Sequence, residues 1–217
     1  MRRTVLAFAL ILAIHPLAAA AQDDIDKVNG PVHVEAGQQV GDASTVNGAV
    51  HVEDGASVRK ASTVNGAVEL GDKAQAREIG TVNGAVSLGE GARVSGKVEA
   101  VNGSIRLDRG AEIGGRASNV NGAITLDAAH VAGGLGTVGG DITVGANSRV
   151  EGGILVDKPG GWFHWGQQRP PHVVIGPHAV VQGTLEFRRE VVLEVSDSAQ
   201  IGPVQGATPV TFHGDTP

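Results

Sequence analysis

The residues of this chain best suited to chemistry are its histidines, a short aromatic cluster and a repeated Asn-Gly pair. His33 and His51 stand 18 residues apart, and His164, His172 and His178 lie in or beside the aromatic cluster. Imidazole side chains bind divalent metals and transfer protons near neutral pH. What these residues can do depends on the elements that position them.

A tandem repeat dominates the sequence. Its units begin with Val-Asn-Gly, or once with Val-Gly-Gly, at intervals of 18 or 19 residues. The units start at Val28, Val46, Val64, Val82, Val101, Val120 and Val138. A fixed period of this length is typical of a solenoid.

Within a unit the apolar residues alternate with polar ones, as in Val50 and Val52, then Ala56 and Val58, then Ala61. A spacing of two is that of β-strands and not of helices. We therefore predict an all-β fold, a single-stranded parallel β-helix with three short strands in each 18–20-residue coil and about nine coils. Successive coils would stack at about 4.8 Å.

The ends of the chain differ from the repeat. Arg2 and Arg3, an apolar run and small residues up to Ala21 are typical of a secretory signal peptide cut after Ala21, which predicts a periplasmic or secreted protein. No later segment is apolar enough to predict a transmembrane span. The predicted organisation is a signal peptide (1–21), a regular solenoid of seven repeats (22–157), a Trp/Gly/Pro loop (158–171), two wider coils (172–205) and a C-terminal tail or cap (206–217).

Composition excludes several classes of function. The chain has no cysteine, which excludes disulfides and thiolate chemistry. Its formal net charge of −6 disfavours nucleic acid as a partner. It has 33 glycines and only 3% aromatic residues, so its interior must be narrow and filled with small aliphatic side chains.

The Asn-Gly pairs have two interpretations. If Val46 points inward, its neighbours Thr45 and Asn47 point outward and form polar columns on stacked coils; the predicted polar ladder is Thr45, Asn47, Thr63, Asn65, Thr81, Asn83, Asn102 and Asn121. Such columns would offer a regular surface to a polysaccharide or another rod. The favoured alternative is a corner, in which Gly supplies a positive φ and Asn bonds to the adjacent coil. With Val64 in an inward apolar column, Val64→Asp would place an unpaired charge there and should cost more than about 3 kcal/mol.

His33 and His51 should point outward from adjacent coils, about 5 Å apart. The next residues of that column are Glu69, Ser87 and Arg106. Two imidazoles with one more distant carboxylate make a weak metal site, so no metal site is predicted.

The aromatic cluster is the best candidate for a contact site. Trp162, Phe163, His164 and Trp165 lie among glycines and prolines, which are typical of a loop. Exposed aromatic side chains can bind a sugar ring or a partner protein. The alternative is that the loop covers the rod where the coil widens.

No enzyme motif is present. The sequence contains neither G-x-S-x-G, a P-loop nor H-E-x-x-H, so we predict no catalytic residue, no cofactor and no enzymatic activity. The hexad spacing of Val46, Val52 and Val58 is similar to that of left-handed β-helix acyltransferases, but no helical segment follows the signal peptide.

Two groups of bacterial β-solenoids resemble these repeats. "TVNGAVHVEDGASV" is similar to coils of an exported putative-adhesin family of unknown function. "GARVSGKV" (Gly91–Val98) and "GAEIGGRA" (Gly110–Ala117) resemble coils of the bactofilins, which are polymer-forming cytoskeletal proteins. The resemblance implies a right-handed solenoid and end-to-end assembly. The signal peptide departs from the bactofilins, which are cytosolic.

These observations predict a non-catalytic exported β-solenoid that acts as an envelope scaffold or adhesin-like surface. A polymer-forming filament protein and a carbohydrate-binding module using the Trp162–Trp165 loop are the alternatives. The predicted partners are a second copy of the chain, an envelope polysaccharide or an envelope protein.

Overall fold

The computed structural model describes residues 23–160 and 169–217, and the signal peptide predicted for residues 1–21 lies outside them. The described chain is an all-β parallel solenoid of about 10 coils. Every strand pairs in parallel with the equivalent strand of an adjacent coil, as between Val50–Val52 and Val68–Leu70. None of the described residues belongs to a helix that could cross a membrane.

The first face of the rod is a ten-stranded sheet. Its strands are Val32–Val34, Val50–Val52, Val68–Leu70, Val86–Leu88, Ile105–Leu107, Ile124–Leu126, Ile142–Val144, His172–Ile175, Val192–Ser196 and Val210–Phe212. In most of these strands two apolar residues point inward and the residue between them points outward, as the period of two predicts.

The second and third faces share one 16-stranded sheet, because three long strands cross the corner between them. The long strands are Gln39–Asn47, Ser57–Asn65 and Gln75–Asn83. The second face continues with Arg93–Val94, Glu112–Ile113, His130–Val131, Arg149–Val150, Val180–Val181 and Gln200–Ile201. The third face comprises Ile25–Asn29, Val98–Asn102, Ala117–Ser118, Leu135–Thr137, Ile154–Val156, Leu185–Phe187 and Val204–Gln205.

The long strands end where the coil gains one residue at this corner. The extra residue lies between Arg93 and Val98, and Gly96 is at the new bend. A Cβ on Gly96 would lie 2.6 Å from the carbonyl oxygen of Arg77 in the preceding coil. The prediction of three separate strands is therefore right from Arg93 onward, whereas in three earlier coils two of them merge.

The core is one continuous cluster of aliphatic side chains along the axis of the rod. The predicted inward residues Val50, Val52, Ala56, Val58 and Ala61 are at most 4% exposed, as are their counterparts in most other coils. Each larger aliphatic side chain contributes roughly 1.5–3 kcal/mol when it is fully buried. The interior is thus filled by side chains.

The last coils follow the predicted wider spacing. Val173 pairs with Leu193, 20 residues later. Beyond Gly206 the chain adds the strand Val210–Phe212, which pairs with Val192–Ser196. This part of the predicted tail or cap therefore continues the solenoid as a further strand.

Candidate functional site

The asparagines of the repeat form a ladder along one corner of the rod. From Asn47 onward, each Nδ2 donates to the Oδ1 of the asparagine one coil earlier, at 3.0–3.1 Å. The members are Asn29, Asn47, Asn65, Asn83, Asn102 and Asn121, and all are exposed. The prediction that asparagine bonds to the adjacent coil is confirmed.

The threonines do not belong to this ladder, and this part of the prediction is wrong. Thr45, Thr63 and Thr81 are only 4–5% exposed. Their hydroxyls donate to the carbonyl oxygens of Gly30, Gly48 and Gly66 at 2.8–3.0 Å. A threonine can occupy an inward position here because that hydrogen bond replaces the one lost with water.

The valines that open each unit point outward, where the sequence predicted them inward. Val46, Val64, Val82, Val101 and Val120 are 39–41% exposed, and Val28 is 67% exposed. Two consecutive residues, such as Val64 and Asn65, face solvent because the chain turns a corner there and the period of two is interrupted. The result is an apolar row beside the asparagine ladder, which the alternating sequence pattern does not predict.

The glycine after each asparagine is needed mainly because the backbones of successive coils approach closely at this corner. At Gly66, Gly84 and Gly103 a Cβ would lie 1.7–1.9 Å from the carbonyl oxygen of the equivalent glycine one coil earlier. The predicted positive φ occurs at Gly30 and Gly122, at 93° and 113°. At Gly66, Gly84 and Gly103, therefore, glycine is required for the close contact and not, as predicted, for a positive φ.

One buried polar atom marks a departure from the repeat. Asn119 takes the inward position of the threonines, and its Nδ2 donates to the carbonyl oxygens of Gly103 and Gly122. Its Oδ1 is buried without a hydrogen-bond partner among the described residues. Ala100, in the preceding coil, is the smaller residue at this position.

His33 and His51 lie as predicted, in register on the first face. Their rings stack with centroids 4.8 Å apart and planes 12° apart. His51 Nδ1 is 2.9 Å from Glu69 Oε2. Across residues 23–160 and 169–217 no group of three or more His, Cys, Asp or Glu side chains is placed to hold a metal ion.

The aromatic contact site predicted from Trp162, Phe163, His164 and Trp165 lies outside the described residues. In the sequence it falls between the strands Ile154–Val156 and His172–Ile175. The residues flanking it are described, and they form a polar cluster.

Asp141 is the centre of that cluster. Its carboxylate accepts a hydrogen bond from the backbone N–H of His172 at 2.8 Å and pairs with the guanidinium of Arg169. Burial raises the pKa of Asp141, but the hydrogen bonds from Arg169 and His172 outweigh it, so the pKa lies below its usual value. The His172 ring also bonds Glu194, while His178 lies in the turn that follows the strand His172–Ile175.

A shallow groove runs along the third face. Its volume is about 320 Å³. Ser62 and Gly80 form its floor, Val82 and Val101 stand on one side, and charged residues including Lys60 stand on the other. The groove combines apolar, hydroxyl and charged groups on a surface that the coils repeat.

In comparisons with known proteins, no family model, curated protein or solved structure matches this chain. The resemblance to the putative-adhesin and bactofilin coils therefore stays a prediction, and the fold is known from the structure itself.

Proposed function

We propose that this protein is a non-catalytic, exported β-solenoid that acts as an envelope scaffold or an adhesin-like surface. The observation that carries the proposal is the repetition of the same outward side chains on six consecutive coils, in the asparagine ladder and the valine row. Such a surface suits an extended partner, because each coil presents the same contact at the coil spacing of about 4.8 Å. The filled core supports the same proposal, since it leaves binding to the outer surface.

The proposal is tested by binding to purified cell envelope and to a glycan array. Wild-type protein is compared with Val64→Lys/Val82→Lys, which alters the valine row, and with a variant lacking residues 160–168. Binding that is lost in the valine variant and kept in the loop variant is the expected result. Loss in the loop variant alone would instead favour the carbohydrate-binding alternative, and no binding by wild-type protein would contradict an adhesin-like role.

Export is a separate part of the proposal and has its own test. The basic and apolar N-terminal sequence supports cleavage after Ala21. Mass spectrometry of the protein recovered from the periplasm or medium should find Gln22 as the first residue. An intact Met1 or Arg2 on protein confined to the cytosol would contradict export.

Stacking of coils end to end is a second candidate function. The observation that favours it is the regular parallel register, which continues to the last strand, Val210–Phe212, at the edge of its sheet. An edge strand can pair with another chain. Negative-stain microscopy distinguishes the two candidates, because filaments would support stacking whereas dispersed rods of one length would count against it.

A further inference from the structure

One side of the rod carries two parallel rows of outward-facing residues on the same six coils. We call it the lateral face. One row is the valine row, and the other is a column of charged residues at the corner between the second and third faces. The column comprises Asp24, Asp42, Lys60, Glu78, Lys97 and Arg116, one from each coil. Members of both rows line the groove of the third face.

The order of charges in this column has a specific symmetry. From the first coil to the sixth the signs are negative, negative, positive, negative, positive and positive. Reading the column backwards reverses every sign. The column is therefore complementary to itself when two copies run in opposite directions.

We infer that the lateral face binds a second copy of this chain in antiparallel orientation, about a two-fold axis that lies between the third and fourth coils and perpendicular to the rod. This arrangement places valine row on valine row and charge column on charge column. It pairs Asp24 with Arg116, Asp42 with Lys97 and Lys60 with Glu78, each twice by symmetry. The inference does not depend on the proposed role in the envelope.

The outward residues between the two rows are compatible with this pairing. In order of coil they are Asp26, Ser44, Ser62, Gly80, Glu99 and Ser118. The same axis places Asp26 opposite Ser118, Ser44 opposite Glu99 and Ser62 opposite Gly80. No two like charges meet across this strip, and its small side chains allow the two faces to approach.

Other arrangements bring like charges together or misalign the rows. Sliding the partner by one coil in either direction moves the axis by half a coil. It sets Lys60 against Lys97 and Glu78 against itself, or sets Asp42 against Glu78 and Lys60 against itself. Running the two rods parallel about a two-fold axis places each charge column over the valine row of the other copy. Like charges across an interface suppress association, so the charge order selects one register and one direction.

The size of the face sets the expected affinity. Six coils at about 4.8 Å and four residues of strand at about 3.3 Å give a strip of roughly 24 by 13 Å. The area of this strip is smaller than the standard interface of about 800 Å² per partner, so the association should be weak. Measurements therefore need protein concentrations up to about 1 mM.

Sedimentation equilibrium over such a concentration series tests the inference. Wild-type protein should show a reversible monomer–dimer equilibrium. The central pair, Lys60 and Glu78, is the most informative one to change. In the neighbouring pair, Asp42 already bonds Arg59 and Lys97 already bonds Glu99 within one chain. Lys60→Glu and Glu78→Lys each set two like-charged pairs across the interface and should weaken self-association about tenfold or more.

A mixture of the two variants provides the decisive result. When Lys60→Glu meets Glu78→Lys in the proposed register, every pair in the column is again opposite in sign, so the mixture should dimerise although neither variant does so alone. The double variant Lys60→Glu/Glu78→Lys should likewise recover dimerisation. Arg109→Glu and Glu90→Lys change the charge equally at another corner and should behave as wild type, and circular dichroism checks that all variants are folded.

Three outcomes would overturn the inference. Wild-type protein that stays monomeric up to 1 mM would leave this face free for a different partner. Variants that dimerise as wild type does would show that the charge column is not at the interface. A mixture that fails to associate when wild type does would exclude the antiparallel register.

Discussion

At the scale of single residues, the corner of each coil decides which side chains are buried. Thr63 lies inside and Val64 outside, although hydrophobicity alone would reverse them. The hydroxyl of Thr63 donates to the carbonyl oxygen of Gly48 at 2.8 Å, so its polar group is satisfied in the interior. Burial here follows the path of the backbone more closely than side-chain polarity.

This placement gives a prediction that separates two neighbouring valines. Val64→Asp should change the free energy of unfolding by less than about 1 kcal/mol, because Val64 is 41% exposed. Val68→Asp should cost more than about 3 kcal/mol, because Val68 is fully buried and the introduced carboxylate would have no partner. Urea unfolding measures both, and equal costs would contradict the orientation of the corner.

A second residue-scale prediction concerns two glycines of one coil. A Cβ on Gly84 would lie 1.9 Å from the carbonyl oxygen of Gly66, so Gly84→Ala should destabilise the protein by about 1–3 kcal/mol or more. The matched control is Gly80→Ala, where a Cβ would meet nothing within 4 Å. Thermal unfolding should show a clear loss for Gly84→Ala and little change for Gly80→Ala. A similar melting temperature for both variants would contradict the close stacking at this corner.

At the scale of the element, the asparagine ladder links coils that strand pairing already joins. Asn83 donates to Asn65 and accepts from Asn102, whereas Asn121, at the end of the ladder, donates to Asn102 only. Asn83→Ala should therefore cost about 1 kcal/mol and Asn121→Ala about half as much. Urea unfolding of the two variants compares these costs. A larger loss of unfolding free energy for Asn121→Ala would show that the ladder hydrogen bonds do not cause the destabilisation.

The polar cluster at Asp141 should make stability depend on pH. The pKa of Asp141 lies below its usual value, so the native state keeps this carboxylate charged at pH values where the unfolded chain, with a pKa of about 3.9, takes up a proton. The resulting stabilisation is present above about pH 4 and is lost as the pH falls through the native pKa. Asp141→Asn should remove that part of the acid destabilisation, measured as the unfolding free energy between about pH 2 and 6. Asp215→Asn, in the tail, is the control, and an identical pH profile for both variants would contradict the role of Asp141.

The stacked strands could be predicted from the sequence, whereas the side-chain orientations at the corners could not. The 18-residue period and the alternation at Val50 and Val52 suffice to predict stacked parallel strands, because strand geometry allows few other solutions. The period carries no information about where alternation is interrupted, so it predicts the wrong side of the strand for Val64. The cluster at Asp141 is not predicted for a different reason, since its partners Arg169 and His172 are 28 and 31 residues away and meet it only when the coils stack.

At the scale of the whole molecule, a solenoid behaves as a stack in which each coil is stabilised mainly by its two neighbours. A central strand such as Ile105–Leu107 pairs on both sides and is buried at both inward positions. The terminal strand Val210–Phe212 pairs with one neighbour, and Val210 is 59% exposed. Stability should therefore be greatest in the middle coils and decrease towards Phe212.

Hydrogen exchange measures this gradient directly. Amides of Val86–Leu88 and Ile105–Leu107 should exchange last, those of Val192–Ser196 earlier and those of Val210–Phe212 first, because local opening needs less free energy where one neighbour is missing. Leu107→Ala, which creates a cavity in the middle of the stack, should cost about 2–5 kcal/mol. Val210→Ala removes an exposed side chain and should have little effect. Uniform protection from the middle coils to Phe212 would mean that the rod unfolds as a single cooperative unit.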